Sequence, residues 1–110
     1  MVLAVLGLNH KTVSVDIREK FSISEESARE GLLHLSEQEG IKEAVVLSTC
    51  NRTETYAVLK DEEDKEKLYR FFLTLSGNSK AEKEYFFFYT GTECIRHLFP
   101  VVSWLDSMVL

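Results

Sequence analysis

The chain has 110 residues, of which 45% are hydrophobic and 28% are charged, and its formal net charge is −5. This composition is typical of one soluble globular domain with a single apolar core. The acidic balance argues against a broad nucleic-acid-binding face, which needs clustered Lys and Arg, but it leaves room for contact with one end of a nucleic acid. No apolar run approaches the ~20 residues of a membrane-spanning helix and no signal peptide is evident, so we expect a cytoplasmic protein without a membrane partner.

The first part of the chain predicts a strand, a helix and two further strands. The apolar run VLAVLGL at residues 2–8 favours a buried strand. A helix is expected to begin after a cap at Ser22 or Ser24. It should end near Glu39, with Gly40 as its stop. The segments IKEAVVLST and TETYAVLK then have the pattern of two strands that are joined by a short polar connection.

The second part predicts a helix, a strand and a final helix. The segment DEEDKEKLYRFFLTLSG begins with acids, which the helix dipole favours in a first turn, and EYFFFYT is rich in strand-forming residues. The segment TECIRHLFPVVSWLDSMVL closes the chain as a helix, and because its apolar end has no stop signal, we expect that helix to continue in a longer protein. Its expected core-facing residues are Ile95, Leu98, Phe99, Val102 and Leu105.

The resulting β-α-β-β-α-β order predicts a ferredoxin-like α+β sandwich in a single domain that spans residues 1–110. In this fold a four-stranded antiparallel sheet carries two helices on one face, and here a C-terminal helix is added. No GxGxxG loop is present, so we do not expect a dinucleotide to bind by the Rossmann mechanism. No CxxC or Cys/His cluster has the spacing of a metal site, so we expect no metal.

Cys50 is unusual because it lies in the polar segment STCNRTE, whereas cysteine usually lies among apolar neighbours. Only a thiolate is a strong nucleophile, and nearby positive charge lowers the pKa of a thiol. Arg52 offers such a charge, or a bidentate site for a substrate carboxylate, and Thr49 and Asn51 add short donors and acceptors. The segment therefore fits acyl transfer, and it also fits an ordinary turn that happens to contain a cysteine.

His97, on the last helix, is a second candidate for chemistry. It could tune the Cys50 thiol or handle a proton if it lies across from the strand connection, or it could be a satisfied structural residue. Cys94 lies one helical turn earlier, has no polar surroundings in the sequence and is expected in the core. A thiol peroxidase-like role is disfavoured, because no resolving cysteine accompanies Cys50 in its motif.

Three segments together resemble one known family. GLNHKTVSVDIREKF, VVLSTCNRTETYAV and IRHLF…LDSMVL are similar to the N-terminal catalytic domain of the glutamyl-tRNA reductases, and the resemblance covers essentially all 110 residues. It implies a ferredoxin-like fold, glutamyl-tRNA as substrate, and NADPH as the reductant in the full-length protein. The implied reaction is the reduction of glutamyl-tRNA to glutamate-1-semialdehyde, which begins tetrapyrrole synthesis by the five-carbon route.

The resemblance also implies roles for individual residues. Cys50 would be the nucleophile that attacks the ester between glutamate and tRNA and gives an enzyme thioester, and His97 would be important for activity. Pro100 and Trp104 depart from the family pattern, which usually has Arg and Gly there, and a proline inside a helix tends to kink or restart it. The substrate-binding residues implied by the motif are Thr49, Asn51, Arg52 and Ser107.

The resemblance finally implies that the NADPH-binding and dimerisation domains of the family are absent from these 110 residues. We therefore expect this chain not to complete the reduction, although it could still form an acyl-enzyme. The full-length protein is expected to be a homodimer, and this chain could self-associate through its apolar terminal helix. The competing hypothesis is a non-catalytic ferredoxin-like binding or regulatory module in which Cys50 is incidental.

Overall fold

The computed structural model describes residues 1–9, 24–48, 52–76 and 85–108. Within these ranges, the side chains of residues 9, 25, 75, 76 and 101–108 lie outside the described part of the structure. The elements in chain order are β1 (Val2–Asn9), α1 (Glu25–Ser36), β2 (Ile41–Ser48), β3 (Arg52–Leu59), a short 3-10 turn (Glu62–Asp64), α2 (Lys65–Ser76), β4 (Phe87–Thr90) and α3 (Gly91–Met108). None of the helices in these ranges combines the length and the apolar character needed to cross a bilayer.

The four strands form one sheet in the order β2-β3-β1-β4, and all three pairings are antiparallel. The strand β1 is therefore central, with β3 on one side and β4 on the other. This order, with α1 between β1 and β2 and α2 between β3 and β4, is the ferredoxin-like arrangement that the sequence predicted. The sheet confirms the expected fold class.

The larger core lies between one face of the sheet and the helices α1 and α2. Alternate residues of a strand point to opposite faces, so β1 contributes Ala4 and Leu6 to this core, and α2 contributes Phe72. The buried members of the core are Ala4, Leu6, Leu35, Ile41, Ala57, Leu59, Leu68, Phe71 and Phe72. Their burial removes apolar surface from water, which is the main force that holds the two helices on the sheet.

The helix α3 covers the opposite face of the sheet, over β1 and β4. Val5, Phe87 and Cys94 form a second buried cluster there. The strand β1 is thus covered on both faces, which explains its almost uninterrupted apolar sequence. Cys94 is fully buried, as predicted.

The predicted core-facing side of α3 is contradicted at Ile95 and Phe99, whereas Leu98 does face the sheet side. The side chains of Val102 and Leu105 lie outside the described residues. Phe99 is 68% exposed and Ile95 is 41% exposed, whereas Cys94 is buried and His97 and Leu98 are half-buried. Positions 94, 97 and 98 share one side of a helix, and the face of the sheet beneath them is partly polar. Cys94 and His97 therefore lie on the side of α3 that faces the sheet, where hydrophobicity alone predicted Ile95 and Phe99.

Two element boundaries also differ from the prediction, the end of α1 and the start of β4. Helix α1 is capped by Ser24, whose hydroxyl accepts a hydrogen bond from the Ser27 amide at 3.2 Å, and it ends at Ser36 rather than near Glu39. Gly40 is not the helix stop; its φ of +93° turns the chain into β2, a conformation that favours glycine. The strand β4 has four residues rather than seven. Helix α3 continues through Pro100, in agreement with the predicted final helix. The possible cap at Ser22 lies outside the described residues.

Candidate active site

The site is built on a row of residues that crosses the face of the sheet beneath α3. Gly7 in β1 pairs with Glu54 in β3 on one side and with Phe87 in β4 on the other. A Cβ atom at Gly7 would lie 2.8 Å from the Glu54 Cγ and 2.8 Å from the Thr53 carbonyl oxygen. The missing side chain at Gly7 therefore provides the space in which the Glu54 side chain lies.

Glu54 is fully buried and has three polar partners. Its Oε1 atom is 2.5 Å from the His97 Nε2 and accepts a hydrogen bond from the Tyr56 hydroxyl at 3.2 Å. Its Oε2 atom is 3.3 Å from the same His97 nitrogen and 3.8 Å from the Arg52 Nη1. A buried carboxylate is costly unless it is paired and hydrogen-bonded, and these partners meet that requirement. Glu54 thus connects two strand residues with helix α3.

Aromatic rings surround the other side of His97. Its ring centroid lies 4.8 Å from that of Phe87 and 5.5 Å from that of Tyr89, with interplanar angles of 51° and 45°. Phe87 and Tyr89 are two residues apart in β4 and therefore lie on the same face of the sheet. These ring contacts restrict the orientation of the imidazole. The His97 side chain is nevertheless 18% exposed, so it still reaches solvent.

Two neighbouring acids are kept protonated by the site. Burial raises the pKa of the Tyr56 hydroxyl well above its ordinary value, and the negative charge of Glu54 and the hydrogen bond to it act in the same direction. Burial likewise raises the pKa of the Cys94 thiol, and the Glu54 charge adds to this effect. Tyr56 is therefore a hydrogen-bond donor at neutral pH, and Cys94 is an unreactive thiol.

Arg52 begins β3 at the edge of this site. Its side chain is 17% exposed, and its Nη1 contacts the Glu54 carboxylate at 3.8 Å. Its Nε atom is buried and has no hydrogen-bond partner within the described part of the chain. A guanidinium has five N–H donors in a fixed fork, and one contact at 3.8 Å leaves donors for a second carboxylate.

The segment that contains Cys50 follows β2 and precedes β3 in the chain. Ser48, the last residue of β2, pairs with Thr53 of β3, and their hydroxyl oxygens are 3.5 Å apart. Cys50 belongs to the short segment between these paired strand ends, two residues before Arg52 and four before Glu54.

Only some of the predicted site residues can be placed. Arg52 and His97 are brought together, since both contact Glu54. Thr49, Cys50 and Asn51 lie outside the described residues, and Ser107 lies in α3 with its side chain outside the description.

The sequence patterns did not single out Glu54, Tyr56 or Gly7, although all three contribute to the site. One available signal was the position of Glu54 inside the predicted strand TETYAV, because a charged side chain within a strand needs polar partners when it is buried. Among the described residues, no three His, Cys, Asp or Glu side chains group closely enough to hold a metal ion.

We expect Gly7→Ala to destabilise the protein by about 1–3 kcal/mol, because the added methyl group overlaps Glu54 and the backbone of Thr53. The measurement is the free energy of unfolding in urea. Gly31→Ala makes the same chemical change within helix α1, where alanine is favoured, and should not destabilise the chain. Equal stability of Gly7→Ala and the wild type would contradict the close packing of Gly7 against Glu54.

The antiparallel sheet and the polar groups beneath α3 define a ferredoxin-like α+β domain with a buried acid–histidine pair on one face. Residues 6–110 match the family described as "Glutamyl-tRNAGlu reductase, N-terminal domain". The chain belongs to this family, in agreement with the resemblance of its sequence motifs.

Individual relatives support the same assignment. The glutamyl-tRNA reductase of Desulforudis audaxviator is 45% identical over 111 residues, covering 100% of this chain and 25% of that protein. The glutamyl-tRNA reductase of Thermodesulfovibrio yellowstonii is 43% identical over 119 residues, covering 100% of this chain and 28% of that protein. The solved structure of glutamyl-tRNA reductase from Methanopyrus kandleri superimposes with a TM-score of 0.66 at 31% identity, covering 96% of this chain and 23% of that one. The chain thus spans about a quarter of the length of these relatives.

Proposed function

We propose that this chain is the thioester-forming domain of a glutamyl-tRNA reductase, which reduces glutamyl-tRNA to glutamate-1-semialdehyde in tetrapyrrole biosynthesis. The observation that carries the proposal is the junction of Arg52, Glu54 and His97 in a chain that belongs to this family. A residue of the cysteine-containing motif and a histidine from the last helix thereby share one polar site.

The proposed chemistry is a transfer of the glutamyl group from an oxygen to a sulfur. The Cys50 thiol gives up its proton to His97, and the sulfur attacks the carbonyl carbon of the ester that joins glutamate to tRNA. The C–S bond forms and the C–O bond to the terminal ribose breaks, while the departing oxygen takes the proton back from His97. The products are a glutamyl thioester on Cys50 and uncharged tRNA. An ester of this kind is already activated, so a well-placed sulfur is the main requirement.

Recognition of the glutamate side chain is proposed for Arg52. The substrate's side-chain carboxylate matches the planar donor fork of a guanidinium, and Arg52 has donors that Glu54 does not occupy. Glu54 in turn keeps the guanidinium at the edge of the site. We propose further substrate contacts for Thr49, Asn51 and Ser107, as the family motif implies.

NADPH is proposed as the source of hydride in the full-length protein, but neither the sequence motifs nor the described strands of this chain fit a dinucleotide-binding fold. Its described strands pair only antiparallel, whereas dinucleotide-binding folds use parallel strands and a glycine-rich turn before a helix. We therefore assign no residue of this chain to NADPH. Its binding, and the reduction itself, are proposed for parts of the full-length protein beyond these 110 residues.

The remaining proposals concern partners and location. The acceptor end of glutamyl-tRNA is the proposed ligand, which agrees with a chain whose net charge is −5 and which would contact only one end of a nucleic acid. A cytoplasmic location, a homodimeric full-length protein and self-association through α3 are also proposed. The exposed side chains of Ile95 and Phe99 are consistent with such self-association.

The test is transfer of radiolabelled glutamate. The 110-residue chain is mixed with glutamyl-tRNA charged with labelled glutamate, quenched in acid, and assayed for label on the protein. We expect label on the protein with glutamyl-tRNA and much less with aspartyl-tRNA, whose side chain is one methylene shorter. Absence of label on this chain, when a full-length reductase becomes labelled in parallel, would contradict the proposed function.

A further inference from the structure

We propose that Glu54 is a positioning residue that holds the Nε2 atom of His97 and so makes Nδ1 the nitrogen that exchanges a proton with the thiol. Tyr56 supports Glu54 in this role. The inference rests on the proposed function for the identity of the thiol as Cys50. It adds a residue and an atom-level assignment that the resemblance did not supply.

The hydrogen bonds determine which ring nitrogen is free. Within the described part of the chain, both hydrogen bonds of the His97 ring are made by Nε2, to the two oxygens of Glu54. Glu54 accepts a hydrogen bond from the Tyr56 hydroxyl and lies beside the Arg52 guanidinium, so it acts as an acceptor and Nε2 carries the hydrogen that faces it. When the ring is neutral, its lone pair is consequently on Nδ1. This tautomer is assigned from the hydrogen-bond network.

The surroundings of Glu54 favour one fixed arrangement. Its side chain has no exposed surface and lies in the space left by Gly7, with hydrogen bonds or ion contacts to His97, Tyr56 and Arg52. The Tyr56 hydroxyl donates to Oε1, the same oxygen that lies 2.5 Å from His97. Because that hydroxyl stays protonated, its hydrogen bond persists throughout the neutral pH range. A carboxylate held in this way presents a constant acceptor to Nε2.

The position of His97 on α3 completes the argument. The rings of Phe87 and Tyr89 pack against the imidazole and restrict its rotation about the Cβ–Cγ bond. Rotation would otherwise exchange the positions of the ring nitrogens and their carbon neighbours. A base contributes to proton transfer only when the correct nitrogen faces the proton, so fixing the tautomer and the ring plane assists the reaction without contact to the substrate.

The experiment combines nitrogen-15 NMR of His97 with the labelling assay. We expect the neutral ring of the wild-type chain to be a single tautomer with hydrogen on Nε2. In Glu54→Gln the amide can either accept from Nε2 or donate to it, so we expect a mixture of tautomers and at least tenfold slower glutamyl transfer. Glu93→Gln makes the same change at an exposed position of α3 that pairs with Arg96, and both readouts should stay unchanged.

Each outcome decides the proposal. Hydrogen on Nδ1 in the neutral wild-type ring would overturn the proposal. This measurement uses the wild-type chain alone, so it does not depend on whether a variant folds. An unchanged tautomer in Glu54→Gln would also overturn it, and so would an unchanged transfer rate, while the proposed function would stand in both cases. If the wild-type chain transfers no glutamate but shows the Nε2–H tautomer that Glu54→Gln loses, the positioning role stands and the proposed function fails.

Discussion

Replacement of Cys50 by serine is expected to reduce transfer of glutamate from glutamyl-tRNA to the protein by about 1,000-fold or more. A serine hydroxyl is a much weaker nucleophile than a thiol near neutral pH, and nothing in the proposed site compensates for the loss of sulfur. The initial rate of labelling by radiolabelled glutamyl-tRNA measures the effect directly. A nucleophile that forms the covalent bond cannot be replaced by the groups around it, so we expect this change to have the largest effect.

Cys94→Ala is the matched control for Cys50→Ser. Cys94 is buried against the sheet, and its thiol stays protonated, so its removal should leave the labelling rate unchanged. Alkylation adds an independent comparison, since iodoacetamide should modify Cys50 much faster than Cys94. Labelling of Cys50→Ser at the wild-type rate would contradict Cys50 as the nucleophile. Equally slow alkylation of the two thiols would favour the competing hypothesis of a binding module in which Cys50 is incidental.

Arg52→Gln is expected to lower the second-order rate of glutamyl transfer by about 100-fold. The substitution removes the charge and the donor fork proposed to bind the substrate carboxylate, and loss of one partner of such a pair commonly costs 2–5 kcal/mol. Glu54 keeps its contacts with His97 and Tyr56 in this variant, so the fold should be retained. Labelling rates at several glutamyl-tRNA concentrations would separate weakened binding from slower chemistry, and we expect mainly weakened binding.

Two comparisons sharpen the Arg52 prediction. Arg52→Lys keeps the charge without the fork, so we expect a loss intermediate between those of the wild type and Arg52→Gln. Arg96→Gln removes an arginine whose side chain is 72% exposed on α3 and should have no effect. If Arg52→Gln and Arg96→Gln labelled at the same rate, Arg52 would have no part in substrate recognition.

The fold was predictable because each strand and helix has a local signal. The run VLAVLGL predicted a buried strand. The run is continuously apolar because helices cover both faces of the strand β1 that it forms. The orientation of α3 was not predictable from hydrophobicity. Ile95 and Phe99 have the stronger apolar signal, yet Cys94 and His97 face the sheet, because the partner of His97 is a carboxylate 43 residues earlier in the chain.

The site was predictable only where residue types carry chemistry by themselves. Arg52 and His97 were candidates from their side chains, and the structure brings both to one carboxylate. Glu54 was missed, because the role of a charged residue in a strand can be inferred only when its partners are known. The partners of Glu54 come from β3 and α3. Gly7 was missed because the need for a small residue depends on the strand register, which pairs it with Glu54. For Cys50, Thr49, Asn51 and Ser107, the sequence and the family motif remain the basis of their proposed roles.

The most direct test of the central claim is mass spectrometry of the chain after it has been mixed with glutamyl-tRNA and quenched in acid. The predicted result is one glutamyl group on the peptide that contains Cys50, released by hydroxylamine as expected for a thioester. Glutamate attached to another residue, or an unmodified Cys50 in a chain that nevertheless discharges the tRNA, would contradict it.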